Sequence, residues 1–255
     1  MVNNPKKDQI MLRSIKQLYG DSLKASDGEI GHIKDFYFDD QKWAVRYVVA
    51  DTGSWLSGRL VLISPHAFRN FYQDGVSRDV NLTRKQIENS PDFDSHKPVS
   101  RQYEEDYYRY YGWPNYWRGD GLWGCSAFPI LELTADDRPE EPIGGDASQS
   151  QLLDVHLRST QALSGYHIQA NDGEIGHVTD FIIHGNTWAI CHLVVETGHW
   201  FSGKEMVISP KNIDRISYDE SKVFVNLTKE TILKAPEYHV PPWAFEDSSA
   251  LTNKL

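Results

Sequence analysis

The strongest constraint on this chain is an internal repeat at a constant offset. The run Asp-Gly-Glu-Ile-Gly-His at 27–32 returns at 172–177, and Asn-Leu-Thr at 81–83 returns at 226–228. A spacing of this length exceeds the roughly 20–50 residues of a solenoid repeat. It matches the size of a small domain. The sequence therefore predicts two copies of one domain joined by a linker.

The extent of the repeat sets the predicted domain boundaries. The two copies align without a gap from residue 12, and we place them at 12–93 and 151–240. The linker at 94–150 is aromatic at its start and acidic toward its end, where Pro and Gly favour a flexible tether. The remaining residues, 1–11 and 241–255, are predicted to be tails.

Each copy is predicted to contain about six short strands and one terminal helix. Trp43 to Thr52 is rich in β-branched and aromatic residues, and Leu60 to Ile63 follows as a second apolar strand. Thr83 is a candidate N-cap for a helix at 84–89, and Thr228 repeats this signal. Because closure removes exposed strand edges, we expect an all-β fold with short helices, built as two β-barrels in tandem.

Three motifs of each copy resemble the PRC-barrel family. In the first copy they are Asp27-Gly28-x-Ile30-Gly31-x-x-x-Asp35, Trp43-x-Val45-Arg46-Tyr47-x-Val49 and Val61-Leu62-Ile63-Ser64-Pro65. In the second copy they are Asp172-Gly173-x-Ile175-Gly176-x-x-x-Asp180, Trp188-x-Ile190 and Val207-Ile208-Ser209-Pro210. The resemblance implies a six-stranded PRC-type barrel in each copy. The family includes the cytoplasmic domain of the photosynthetic reaction-centre H subunit and the C-terminal domain of ribosome-maturation factors. Its motifs are structural, so the resemblance transfers no catalytic residue.

Composition restricts the partners and the compartment. The net charge of −10 argues against a non-specific nucleic-acid binder, because neutralising phosphates requires a Lys/Arg surface. The two cysteines, Cys125 and Cys191, imply no disulfide framework, which is typical of a reducing compartment. The first residues lack the apolar segment of a signal peptide, and no apolar run approaches a membrane span. We therefore expect a cytoplasmic protein without a transmembrane segment.

Two motifs resemble cofactor sites but lack their partners. Residues 198–204 have the glycine and lysine spacing of a P-loop, yet Glu205 stands where Ser or Thr would hold Mg²⁺. His32 and His177 are equivalent, but the second copy's further histidines have no counterpart in the first. A metal needs three or four converging ligands, so a shared metal site is unsupported. We expect no nucleotide, no metal and no other cofactor.

Two further motifs resemble catalytic groups. Asp27 and Glu29 flank a glycine in a predicted turn, where an Asp side chain usually bonds to the backbone rather than acting as an acid or base. Ser57 has no His and acid that recur in both copies, so nucleophilic catalysis is unsupported. Gly31 and Gly176 interrupt a strand and predict a bulge or sharp bend. We therefore predict no catalytic residue and no enzyme activity.

The linker contains an unusual concentration of Tyr and Trp between residues 103 and 123. Disordered linkers are normally poor in aromatic residues. The rings either pack on the flank of a barrel or form an exposed recognition segment, since Tyr and Trp dominate interface hot spots. We expect packing, with Tyr107, Tyr111, Trp113 and Trp117 as the candidate interface residues.

These inferences favour a non-enzymatic module that mediates protein–protein interaction, within a membrane-associated or stress-related complex. The alternative is a ligand-binding protein or enzyme that uses a cleft between the barrels. A pocket with converging polar groups of shifted pKa would favour the alternative. An exposed apolar patch would favour the interaction module. The sequence specifies neither the protein partner nor the oligomeric state.

Overall fold

The computed structural model describes residues 12–68, 71, 77–95, 97–129, 157–198 and 203–235. The predicted tails and the acidic part of the linker lie outside these residues. The described chain is mostly β, with two sheets and a few short helices, which confirms the predicted class. The pairings of the described strands form open paths, so closure into two barrels stays a prediction. None of the described helices is long and apolar enough to cross a membrane.

The first copy and the linker supply the first eight elements. They are β1 (Leu12–Ser14), β2 (Ser22–Ala25), β3 (Gly28–Asp39), β4 (Ala44–Asp51), β5 (Leu60–Ile63), β6 (Ser77–Asp79), α1 (Arg84–Glu88) and the linker helix α2 (Arg101–Tyr111). The strands predicted from Trp43 and Leu60 are confirmed as β4 and β5. The predicted cap is also confirmed, because the Thr83 hydroxyl accepts from the Gln86 N–H and the Gln86 side chain accepts from the Thr83 N–H.

The second copy repeats these elements. They are β7 (Leu157–Ser159), α3 (Thr160–Leu163), β8 (His167–Ala170), β9 (Gly173–His184), β10 (Ile190–Thr197), β11 (Glu205–Ile208), β12 (Ile213–Ser217), β13 (Lys222–Val225) and α4 (Lys229–Leu233). The first sheet runs β5-β4-β3-β2-β6 and the second runs β11-β10-β9-β8-β13-β12. In both, one parallel pair, β2–β6 or β8–β13, occurs among antiparallel neighbours. The repeat in the sequence is thus a repeat in topology.

Each sheet contains the first strand of the other copy. β1 pairs antiparallel with β9, with Arg13 opposite Ile183, and β7 pairs antiparallel with β3, with Arg158 opposite Phe38. On the edge opposite β4, the long strand β3 therefore has two partners, because β2 pairs with its beginning and β7 with its end. The sequence analysis assigns no strand to residues 12–14. A three-residue strand that pairs with the distant copy leaves no local signal in the sequence.

A serine and an aspartate fix each exchanged strand. The hydroxyl of Ser159 donates to Asp35 over 2.5 Å, and the main-chain N–H two residues later donates to the same carboxyl over 3.0 Å. Reciprocally, Ser14 donates to Asp180 over 2.5 Å, and the N–H two residues later donates over 2.9 Å. Burial raises the pKa of both aspartates, and the donated hydrogen bonds oppose that rise. The two contacts join the copies in both directions.

A second reciprocal contact lies where the two copies meet at β4 and β10. The Val45 N–H donates to the Trp188 carbonyl over 2.9 Å, and the Ile190 N–H donates to the Trp43 carbonyl over 2.7 Å. Both tryptophans have positive φ, 52° and 61°. They therefore occupy equivalent positions, as the repeat predicts.

The apolar core also crosses between the copies. The Phe38 ring lies 5.7 Å from that of Phe181, measured between centroids, and Trp188 contacts Phe68 and Phe71 of the first copy. Burial of such rings contributes about 25 cal/mol per Å² of apolar surface. The two copies therefore share buried apolar surface as well as hydrogen bonds.

The glycine at the predicted strand bend is required by a close approach of two backbones. A side-chain carbon at Gly31 would collide with the main-chain carbonyl of Asp51, and one at Gly176 would collide with that of Glu196. Gly31 also has a φ of +147°. These glycines allow the close contact of β3 with β4 and of β9 with β10, beside a register shift in the pairing with β2 and β8.

Replacing Asp35 or Asp180 with Ala tests the strand exchange. Each variant leaves a buried or half-buried serine hydroxyl and main-chain N–H groups without their acceptor, so the free energy of unfolding should fall by about 2–4 kcal/mol. The Asp35 variant should lose at least as much as the Asp180 variant, because the buried Thr160 hydroxyl also donates to Asp35. Urea denaturation measures the effect, and Glu29→Ala, an exposed change on β3, is the control. Unchanged denaturation midpoints for both aspartate variants would contradict the anchoring role.

Candidate functional site

The linker folds into helix α2 and packs on the first copy. The Ser100 hydroxyl caps the helix by accepting from the Tyr103 N–H, and Gly112, with φ of 70°, ends it. The sequence analysis missed this helix. Its signals were the Ser100 and Gly112 caps, together with tyrosines spaced four apart on one helix face.

Tyr107 fixes α2 to the edge strand β5. Its hydroxyl accepts from the Ser64 N–H over 3.0 Å and donates to the Leu62 carbonyl over 2.9 Å. Tyr107 is completely buried. The helix thus satisfies main-chain groups on the outer side of β5, which would otherwise be an unpaired edge.

A buried carboxylate lies beneath the helix. Glu104 is completely buried, and its Oε1 accepts from the hydroxyls of Tyr47 over 2.8 Å and Tyr116 over 2.7 Å. The Nη1 atom of Arg101 lies 2.8 Å from Glu104 Oε2. A buried charge is tolerated when it is paired and hydrogen-bonded. Glu104 therefore joins the linker helix, the first copy and the rest of the linker in one polar cluster.

Arg46 is the second buried charge of this site. Its Nη2 donates to Asp39 over 3.0 Å, and its Nη1 donates to the Leu122 carbonyl over 2.6 Å. The guanidinium lies 4.0 Å from the ring centre of Tyr116 and 4.8 Å from that of Trp123. Cation–π contacts of this kind strengthen when they are removed from water. Arg46 therefore attaches the loop after α2 to β4.

His66 is enclosed by aromatic rings from the linker. Its imidazole stacks on Trp113 at 5.6 Å between centroids and meets the edges of Tyr108 and Trp123. Its Nδ1 lies 3.0 Å from the Ser64 hydroxyl. Burial lowers the pKa of His66 from 6.5 to about 3, and the charge of Arg46 acts in the same direction. His66 is thus neutral at physiological pH.

The structure places the four predicted interface residues on the first copy. Tyr107 is fully buried, while Tyr111, Trp113 and Trp117 are partly buried and pack against the core. The linker also reaches the second copy, because Trp123 Nε1 donates to the Thr187 carbonyl over 2.8 Å. The linker therefore contacts both copies.

A small cavity of about 100 Å³ opens beside this cluster. It is lined by first-copy residues, including Asp39 and Arg46, and by linker residues, including Arg101 and Trp117. Its volume is well below the roughly 300–1,000 Å³ of a typical ligand pocket. The cavity lies between the first copy and the linker, not between the two copies.

The remaining motifs have structural contacts. Asp27 accepts from the first N–H of α1 over 2.7 Å, and Asp172 accepts from that of α4 over 2.8 Å. His32 is exposed and His177 is half-buried. Within the described ranges, no group of three or more His, Cys, Asp or Glu side chains is placed to hold a metal ion. The glycine-rich loop at 198–204 lies partly outside those ranges, and strand β11 follows it.

Protein-family models and curated proteins give no match to this chain. Function is therefore inferred from the chain's own geometry. The most informative feature is the difference between the copies, since Arg46 and Tyr47 have Cys191 and His192 as their counterparts.

His66 should make stability depend on pH. Its folded pKa of about 3 lies below its unfolded value of about 6.5, so the unfolded state binds the proton first as pH falls. The contribution of neutral His66 to the free energy of unfolding is fully present above pH 6.5 and is lost progressively toward pH 3. Chemical denaturation across this range should show a smaller loss for His66→Gln than for the wild type. His32→Gln, an exposed change, should retain the wild-type slope, and equal slopes for all three proteins would contradict the prediction.

The double variant Trp113→Ala, Trp117→Ala tests whether packing of the linker on the first copy stabilises the fold. Removing two partly buried indoles that pack on the core should cost at least about 2 kcal/mol of unfolding free energy. Thermal denaturation measures the loss, and small-angle scattering should show a less compact particle. Phe128→Ala, which removes a ring that is 48% exposed, is the control. An unchanged melting curve and scattering profile would contradict a stabilising role for the packed linker.

Proposed function

We propose that this chain is a tandem PRC-barrel protein that acts as a non-enzymatic binding and assembly module for another protein. The family motifs and the repeated topology of the two sheets support the barrel assignment. The observation that carries the binding function is a difference between equivalent faces: the linker helix covers one face, and no described helix covers the other.

The difference is clear in the burial of the side chains. In the first copy, four residues of the β4–β5 face and the turn after it are at most 2% exposed: Tyr47, Leu62, Ser64 and His66. Their counterparts in the second copy are His192, Val207, Ser209 and Lys211. The first three are only half-buried and Lys211 is exposed. The β10–β11 face is therefore less buried than the equivalent face of the first copy.

This uncovered face has the features of a protein-binding surface. β11 ends the order of the described strands in its sheet, and a strand in this position carries main-chain groups that a partner can bond. The first copy demonstrates the kind of segment that such a face accepts, because α2 is held there by a tyrosine and aromatic packing. A second protein with a similar segment would cover the β10–β11 face as α2 covers the β4–β5 face.

The proposal includes no enzyme activity because the acidic side chains described above make structural contacts. Asp35 and Asp180 anchor the exchanged strands, and Asp27 and Asp172 cap helices. Glu104 is bonded to two tyrosines. Each of these carboxyl groups has a structural role that a general acid or base would have to give up. The free thiols of Cys125 and Cys191 agree with a cytoplasmic location.

Comparative affinity capture from an extract of the source cell tests this function. Wild-type protein should retain a defined set of proteins that Val207→Glu loses, because a charge on the half-buried face should weaken docking. Lys85→Glu, an exposed change on α1, is the matched control and should retain the same set. Identical retention by all three proteins, or none above an empty matrix, would contradict a binding role for this face.

A further inference from the structure

We infer that the β10–β11 face binds a tyrosine-bearing helix of a partner protein, with a carboxylate of that helix paired to Lys211. This inference rests on the proposed binding function and specifies its surface and the chemistry of its partner. Two properties of the face support it: the direction of its main-chain groups and the chemistry of its side chains. The composition of the chain's other segments supports it as well.

The main-chain groups of β11 point outward. The Thr197 N–H donates to the Lys204 carbonyl over 2.9 Å, and hydrogen-bonded pairs alternate along antiparallel strands. Val207, which lies opposite Val194, therefore directs its N–H and C=O away from β10. No other described element donates to the Val207 carbonyl or accepts from the Ser209 N–H.

The first copy shows what bonds to these groups. The equivalents of the Val207 carbonyl and the Ser209 N–H are the Leu62 carbonyl and the Ser64 N–H. A single hydroxyl, that of Tyr107, accepts from one and donates to the other. Because these are main-chain groups, the contact does not depend on the side chains that differ between the copies. A tyrosine on a partner helix can make the same pair of bonds.

The side chains of the face define the rest of the partner. Lys211 replaces His66, so an exposed ammonium stands where the first copy has a neutral imidazole under aromatic rings. A partner carboxylate at this place gains a charge-assisted contact. His192 replaces Tyr47, which donates to Glu104 in the first copy, so an imidazole N–H is offered at the corresponding position.

The two longest segments outside the described ranges supply no second copy of Tyr107. Residues 130–156 and 239–255 contain no tyrosine. Tyr238 is the counterpart of Phe93 rather than of Tyr107. The occupant that supplies the hydroxyl is therefore a second protein.

The test uses the full chain and a synthetic peptide of residues 98–113, which contains the sequence of α2. Fluorescence anisotropy of the labelled peptide should show saturable binding to wild-type protein. Lys211→Glu should weaken binding about tenfold or more, and so should Tyr107→Phe in the peptide. Lys85→Glu should bind as the wild type does. In a Cys125→Ser background, the peptide should also slow alkylation of Cys191, which adjoins His192 in β10.

Each other outcome overturns the inference. No saturation up to about 1 mM peptide, or equal affinity for Lys211→Glu, removes the face as the site. Equal affinity of the Tyr107→Phe peptide removes the tyrosine contact. If the peptide binds only after Trp243 and Phe245 are both replaced with Ala, the chain's own C-terminal residues occupy the face. If the protein forms a dimer that Val207→Glu abolishes, a second copy occupies it. If the peptide fails but Val207→Glu still abolishes cellular capture, the proposed function stands and only the partner chemistry is wrong.

Discussion

Two buried aspartates connect the copies, and the rest of the structure depends on them. Asp35 and Asp180 each accept hydrogen bonds from a strand that belongs to the other half of the chain. The exchanged strands then pair along the ends of β3 and β9, and the reciprocal bonds at Trp43 and Trp188 form beside them. The copies are therefore interlocked: each sheet contains a strand whose sequence belongs to the other repeat.

The linker breaks the symmetry of this interlocked pair. It buries Glu104 and Arg46 with compensating partners and seals His66 among aromatic rings on the first copy. Nothing equivalent among the described residues covers the second copy, whose face carries Cys191, His192 and Lys211 instead. The two equivalent faces thus differ, because the linker covers one and no described element covers the other in the same way. The difference lies in the linker and in the side chains at equivalent positions, since the strand topology is repeated.

Local patterns in the sequence predict the local structure well. The strand rich in β-branched and aromatic residues after Trp43, the Thr83 cap and an irregular pairing beside Gly31 are all seen, because each depends on residues close in the chain. The strand exchange could not be read from the sequence, since β1 is three residues long and its partner is in the other copy. The cluster around Glu104 was also missed. Its members come from β4, α2 and the following loop, and only folding brings them together.

The exchange also imposes an order on synthesis. Ser14 finds its aspartate only 166 residues later in the chain. At roughly 5–20 residues per second, this corresponds to an interval on the order of ten to thirty seconds during which the first strand has no native neighbour. Residues Tyr37 to Asp39 of β3 likewise lack their β7 partner until that strand is synthesised. A nascent first copy therefore emerges from the ribosome with an open edge, and it is most vulnerable to aggregation before translation reaches the second copy.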